Sequence, residues 1–163
     1  TADPANPNLT VLAGEQRTDG FEATLSGQLT DKWQIYAGYA YLDAEITKSN
    51  SKTNGVANEG QTPTLTPRNS ANVWLVRTLT PQWRVAAGAN YVDERYTALD
   101  NVVVMPGYTT FDAALLYSVP QWDAALRLKN VFDRDYYASA HGSVDLITPG
   151  APRTLEASLN YRF

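Results

Sequence analysis

The last nine residues of the chain sort without exception into two sets: Leu155, Ala157, Leu159, Tyr161 and Phe163 alternate with Glu156, Ser158, Asn160 and Arg162. In an extended chain successive side chains point to opposite faces, so this order builds one apolar face and one wet face. A helix of 3.6 residues per turn would scatter both. The split recurs in Phe21, Ala23, Leu25, Gly27 and Leu29 against Glu22, Thr24, Ser26 and Gln28, and again from Trp83, Phe111 and Trp122 onwards. Each such strand needs an apolar medium on one side, either a second protein layer or lipid.

The connections favour lipid. Three links are tight, Thr30-Asp31-Lys32, Thr80-Pro81-Gln82 and Val119-Pro120-Gln121, and each is followed at once by Trp33, Trp83 or Trp122. The links at the other end are long and polar, spanning roughly 48–67, 98–106 and 138–151. Short turns on one side, long loops on the other and aromatics at the boundary describe an outer-membrane barrel, with Trp33, Trp83 and Trp122 as its interfacial girdle. The pattern predicts eight strands, at 8–13, 17–29, 33–47, 68–80, 83–98, 107–119, 122–137 and 152–163. Around Trp74 the register stays open: Ala71, Val73 and Leu75 define one lipid face, Trp74 outward with Arg77 inward the other. The fold class is therefore all-β, an antiparallel transmembrane β-barrel.

Composition agrees with that reading. Only 18% of the 163 residues are charged, below the roughly 25% of ordinary globular chains, while tyrosine alone contributes ten residues. The net charge of −4 excludes a protein that tracks nucleic-acid backbone. The lack of cysteine excludes disulfides and thiolate metal sites. No apolar run reaches the roughly 18 to 20 residues of a spanning helix, so entry into a membrane requires a barrel.

Several phrases resemble the closing third of TonB-dependent siderophore receptors. They are Gly20-Phe21-Glu22, Gly38-Tyr39-Ala40-Tyr41-Leu42-Asp43-Ala44, Pro106-Gly107-Tyr108 with Phe111-Asp112, Asn130-Val131-Phe132-Asp133 with Tyr136-Tyr137, Pro149-Gly150-Ala151-Pro152-Arg153 and Tyr161-Arg162-Phe163. The resemblance implies that residues 1–163 are the C-terminal part of a 22-stranded barrel in the bacterial outer membrane, without the plug domain and TonB box of the intact receptor. It also implies a ferric siderophore of catecholate or hydroxamate type as transported ligand, with no cofactor bound directly. The implied partners are membrane lipid, the plug and remaining strands, the TonB complex acting through the N-terminal region, and the barrel-assembly machinery. That machinery would read Leu159, Tyr161 and Phe163 on one face of the last strand. The resemblance nominates Arg95, Tyr96, Tyr136, Tyr137 and His141 as ligand-binding groups at the outer rim and loops. Arg153, Asp112 and Asp133 are expected near the rim or lumen. Thr1-Ala2-Asp3-Pro4 does not read as a natural start, so a fragment is expected.

Catalytic constellations are not evident. His141 has no second histidine to share a metal, and no nucleophile elbow, phosphate-cradling glycine loop or triad is present. The pairs Asp93-Glu94 and Asp133-Asp135 beside Arg95 and Arg134 read as a salt-linked rim, so no enzyme is expected. Two other architectures remain open. One is a self-contained eight-stranded barrel, structural or engineered, whose interior carries Gly38, Ala40, Ala86, Gly88, Ala114 and Ala125. The other is a soluble β-sandwich whose apolar faces pack on each other.

Overall fold

The computed structural model describes residues 2–3, 6–10, 14–141 and 146–163. Seven strands form one antiparallel sheet: β1 (Gly14–Thr30), β2 (Trp33–Ser49), β3 (Asn69–Thr78), β4 (Trp83–Val92), β5 (Tyr108–Val119), β6 (Trp122–Lys129) and β7 (Thr154–Tyr161). They lie side by side in chain order, so every connection joins neighbours.

Pairing fixes the two faces. One register row runs Gly27, Ile35, Leu75, Ala87, Ala113, Leu128 and Leu155 across all seven strands without a polar side chain. The row on the opposite face, Ser26, Tyr36, Trp74, Gly88 and Asp112, is mixed, with two polar side chains, two aromatics and a glycine. No second layer covers the apolar face among the described residues: Phe21 is 60% exposed and both Leu155 and Leu159 are 63% exposed. Burial of such side chains is worth about 1.5–3 kcal/mol each, so a water-exposed face of this composition would forgo much of what folding gains. A hydrocarbon medium removes that cost, and the sandwich architecture is set aside by the single layer.

Aromatic residues bracket the apolar face. Trp33 and Tyr41 on β2, and Trp83 and Tyr91 on β4, are each separated by eight positions on the same face. At about 3.4 Å per residue and a tilt of roughly 40°, that spacing spans about 20 Å of membrane normal, close to the roughly 25 Å of an outer-membrane apolar band. At the lower end the rings also meet each other: Trp83 packs on Tyr117 at 4.7 Å and Trp122 on Tyr161 at 4.9 Å. The turn before Trp83 is closed by Thr80, whose hydroxyl oxygen accepts from the backbone N–H groups of Gln82 and Trp83 at 3.3 and 3.1 Å.

Several expectations change in detail. The main sheet has seven strands, not eight. Of the expected strand at 8–13, Asn6–Thr10 pairs with Ala2–Asp3 in a separate two-stranded sheet, and residues 11–13 lie outside the described residues. The expected strands at 83–98 and 122–137 both stop early, at Val92 and Lys129. Asn130 and Asp133 take φ of 49° and 53°, left-handed values that end a strand. The register around Trp74 is now decided: Trp74 faces the wet side against Val76, Ala86 and Ala114, and Arg77 shares the apolar-side row with Trp33 and Val85. The expected salt-linked rim also differs. Asp133 pairs with Arg153 at 3.9 Å instead of Arg134, and Arg95 makes no ion pair among the described residues.

β1 is bonded only to β2 and β7 only to β6, so the sheet does not close on itself among the described residues. A 17-residue edge strand with unpaired backbone groups requires a partner strand, above all in lipid, where water cannot satisfy them. The self-contained barrel would need these edges paired.

Candidate functional site

The chemistry-bearing residues gather at the long-loop end. Three connections, residues 50–68, 93–107 and 130–153, each carry a small hairpin: Lys52–Thr53 with Val56–Ala57, Arg95–Tyr96 with Val104–Met105, and Tyr137–Ala140 with Ile147–Pro149. In the first, Asn54-Gly55 at φ of 50° and 83° supplies the paired left-handed residues of a tight hairpin turn.

These loops are fastened to one another by side chains. Asn101 accepts the N–H of Thr62 at 2.8 Å and donates to its carbonyl at 2.9 Å, while Leu65 N–H donates to Tyr96 O at 3.0 Å, so the first two loops are joined at two places. Thr97 and Met105, each only 1% exposed, form the dry centre of the second loop. Arg95, 8% exposed, fastens the second loop to the third: its guanidinium donates to Tyr137 O at 3.0 Å and Ala138 O at 3.2 Å and lies over the Tyr108 ring at 5.6 Å. A buried cation is tolerable only with such partners.

Beside it, Tyr136 packs on Tyr108 at 4.3 Å, with its ring in the space a side chain on Gly150 would occupy. Asn130 organises the start of the third loop. Its side-chain NH2 donates to Arg134 O at 2.9 Å and Ala151 O at 3.1 Å, its side-chain oxygen accepts Arg134 N–H at 2.8 Å, and its own N–H donates to Asp112 at 2.8 Å. Asp133 accepts the N–H of Arg153 at 2.7 Å. The segments Asn130-Val131-Phe132-Asp133 and Ala151-Pro152-Arg153 are thus two halves of one fastening, 20 residues apart in the chain at Asp133 and Arg153.

Of the five ligand-binding candidates, Arg95, Tyr136 and Tyr137 come together around Tyr108. Tyr96 shares with Arg95 a neighbouring cavity of about 200 Å³, lined also by Leu42, Asp43, Arg68 and Glu94. His141 lies apart, exposed, with its N–H donating to Leu146 O at 3.0 Å. Sequence reasoning missed Tyr108, Arg68 and Asn130 as rim residues. Only Asn130 carried a signal, as an asparagine directly after a strand and suited to positive φ. Below the rim, Asp93 is held under the ordinary carboxylate range, chiefly by a hydrogen bond from the Asn69 side chain at 2.8 Å, against the opposing effect of its partial burial. No group of three metal-ligating side chains occurs among the described residues.

At the short-turn end, Trp33, Trp83 and Trp122 stand on the apolar face at the starts of β2, β4 and β6. Leu159 and Tyr161 lie on the same face of β7, with Phe163 packed edge-on to Tyr161 at 5.1 Å. Arg162 donates to Pro120 O at 3.2 Å and pairs with Asp123, tying the chain end to the β5–β6 turn.

A single antiparallel sheet with one continuous apolar face, aromatic bracketing and fastened loops at one end defines part of the wall of a transmembrane β-barrel. The family described as TonB dependent receptor-like, beta-barrel, matches residues 1–131. The probable TonB-dependent siderophore receptor PiuA of Acinetobacter baumannii is 33% identical over 97% of this chain, and the catecholate siderophore receptor Fiu of Escherichia coli is 34% identical over 92%. The crystal structures of PiuA and of the closed form of Fiu superpose on 91% and 92% of the chain with TM-scores of 0.80 and 0.77. The chain belongs to the TonB-dependent receptor β-barrel family. It spans 22% of the length of PiuA and 20% of that of Fiu.

Proposed function

We propose that residues 1–163 form the C-terminal wall and loop rim of an outer-membrane receptor that imports a ferric siderophore, of catecholate or hydroxamate type, with energy delivered through TonB. The observation that carries this reading is the unpaired pair of sheet edges on a wall whose outward rows between the short turns and the Tyr41–Tyr91 level are free of charge from β1 to β7 except at Arg77. Such a wall is complete only with further strands, and a 22-stranded barrel around a plug supplies them. The relatives named for siderophore receptors, Fiu for a catecholate type, support the cargo.

In this reading the rim around Tyr108 presents Tyr136 and Tyr137 to the chelate, with Tyr96 on the second loop and His141 further along the third. Arg95 shapes that surface from beneath, because its two terminal nitrogens donate to Tyr137 O and Ala138 O. The wet face of the wall meets the plug, and Leu159, Tyr161 and Phe163 present the aromatic-ended strand to the assembly machinery. The protein carries out no covalent chemistry; the iron chelate is cargo.

The test is uptake of radioactive iron by iron-starved cells in which the intact receptor containing this segment is the only route for ferric chelates. Accumulation of a catecholate or hydroxamate chelate that stops when TonB is deleted is the expected result. Uptake indifferent to deletion of the receptor would overturn the assignment.

A further inference from the structure

The outward face carries one feature that a plain hydrocarbon-facing wall does not need. Between the short turns and the Tyr41–Tyr91 level, Arg77 is the one charged residue on the apolar rows of the described strands. It is exposed, and no carboxylate lies within ion-pair distance of it among the described residues. Its guanidinium is held over the Trp33 indole at 5.3 Å. An arginine on a lipid-facing surface is tolerated where it reaches phosphate at the interface, and the stacked indole pre-orients it there.

A groove of about 560 Å³ opens on the same face at the same end. Its floor is Ala124 and Ala157, and its walls are Trp83, Tyr117, Leu126 and Leu159. The volume falls in the roughly 300–1,000 Å³ range of small-ligand sites. Arg77 and the groove share a register row: Arg77 is opposite Val85, Val85 opposite Leu115, Leu115 opposite Leu126 and Leu126 opposite Ala157. Two strand spacings, about 10 Å, separate Arg77 from Leu115 at the groove wall.

From this arrangement we infer that the wall binds one phospholipid of the periplasmic leaflet, its phosphate on Arg77 and Trp33 and one acyl chain in the Ala124–Ala157 groove. The inference rests on the membrane-wall reading above. A single cation beside an apolar trough complements a phosphate attached to a hydrocarbon tail. In lipid no hydrophobic force drives a chain into the trough, so selectivity comes from close packing against the aromatic walls and from the phosphate contact.

The test is native mass spectrometry of the intact receptor extracted in mild detergent with added phosphatidylglycerol, comparing wild type, Arg77→Gln and Ala124→Leu. Ala124→Leu fills the groove from an outward position and leaves Arg77 untouched. The expected result is one retained phospholipid per wild-type barrel, with retention about fivefold weaker in Arg77→Gln, equivalent to about 1 kcal/mol for one arginine at an anionic surface. Ala124→Leu is expected to weaken retention as well. Equal retention by all three proteins, or none by wild type, overturns the site. Resistance of each protein to urea extraction from membranes is measured alongside: loss of wild-type insertion overturns the wall reading and this site together, whereas normal insertion without retained lipid overturns the site alone.

Discussion

The indole of Trp74 occupies the space that a side chain on Gly88 would need. The two residues are directly opposite in the β3–β4 register, and a Cβ on Gly88 would also stand 2.9 Å from Val73 O. The absent side chain lets the largest residue of the wet face lie over the neighbouring strand and pack, with Leu116, against the cluster of Val76, Ala86 and Ala114. Gly88→Ala is expected to destabilise the barrel by about 1–3 kcal/mol, as over-packing does elsewhere. Adding Trp74→Leu should return much of that loss, because the two changes share one space. Urea midpoints of the refolded intact receptor, read by heat-modifiable gel mobility, provide the measurement; a stable Gly88→Ala single variant would contradict the packing.

Leu25 and Thr24 are chain neighbours on β1 that face opposite media. Leu25→Arg sets a charge on the apolar face within the band, which should cost about 2–4 kcal/mol near the bilayer midplane and less toward its edges. Thr24→Arg adds the same side chain to the wet face and should cost close to nothing. Folding yields into lipid vesicles, compared for the two variants, would show the asymmetry. Equal sensitivity would mean that the two faces have been assigned to the wrong media.

Asn130 holds the start of the third loop by three side-chain hydrogen bonds at φ of 49°. Asn130→Ala removes all three and leaves the carbonyls of Arg134 and Ala151 without this donor. At about 1 kcal/mol per bond, the loop should open more easily by about 2–3 kcal/mol. Hydrogen exchange across residues 130–153 should accelerate while exchange in β5 and β6 stays slow. Unchanged exchange in the loop would show that the rest of the rim is sufficient to hold it.

Asp93 links acidity to stability. Its folded-state pKa lies below the usual carboxylate value because Asn69 hydrogen-bonds the ionised form, so the carboxylate stabilises the fold above its unfolded pKa of about 3.9. That contribution is fully present above about pH 4 and is lost as pH falls further, through the lowered folded value. Asp93→Asn should lack it, so the stability difference between wild type and variant should shrink on acidification from pH 5 to pH 3. A difference that is constant over that window would remove Asp93 from the pH response.

The lipid faces of β1, β4, β5, β6 and β7 were legible in the sequence because in each a stretch of seven or more residues has one parity with no polar or charged side chain, and that parity needs no knowledge of neighbours. β3 was not legible. Ala71, Val73, Trp74, Leu75 and Val76 are apolar on both parities, and only the pairing of Trp74 with Gly88 decides which side holds the indole. The break at Asn130 had only the weak local signal of an asparagine suited to positive φ, because one of the hydrogen bonds that hold it reaches Ala151, a residue distant in the chain. Of the rim candidates, Arg95 was legible as a charged loop residue, but its role was not, because its acceptors are backbone carbonyls 42 and 43 positions away.

Local order along the chain determined that this protein is built of strands with one side for lipid and one for water, and that its turns are short at one end and long at the other. Both follow from the two-residue repeat of an extended backbone. What only the tertiary structure decided is which strand lies beside which, where the two edges remain open, and which side chains fasten the loops into a rim. Those outcomes depend on contacts between residues far apart in sequence, whose geometry no local pattern encodes.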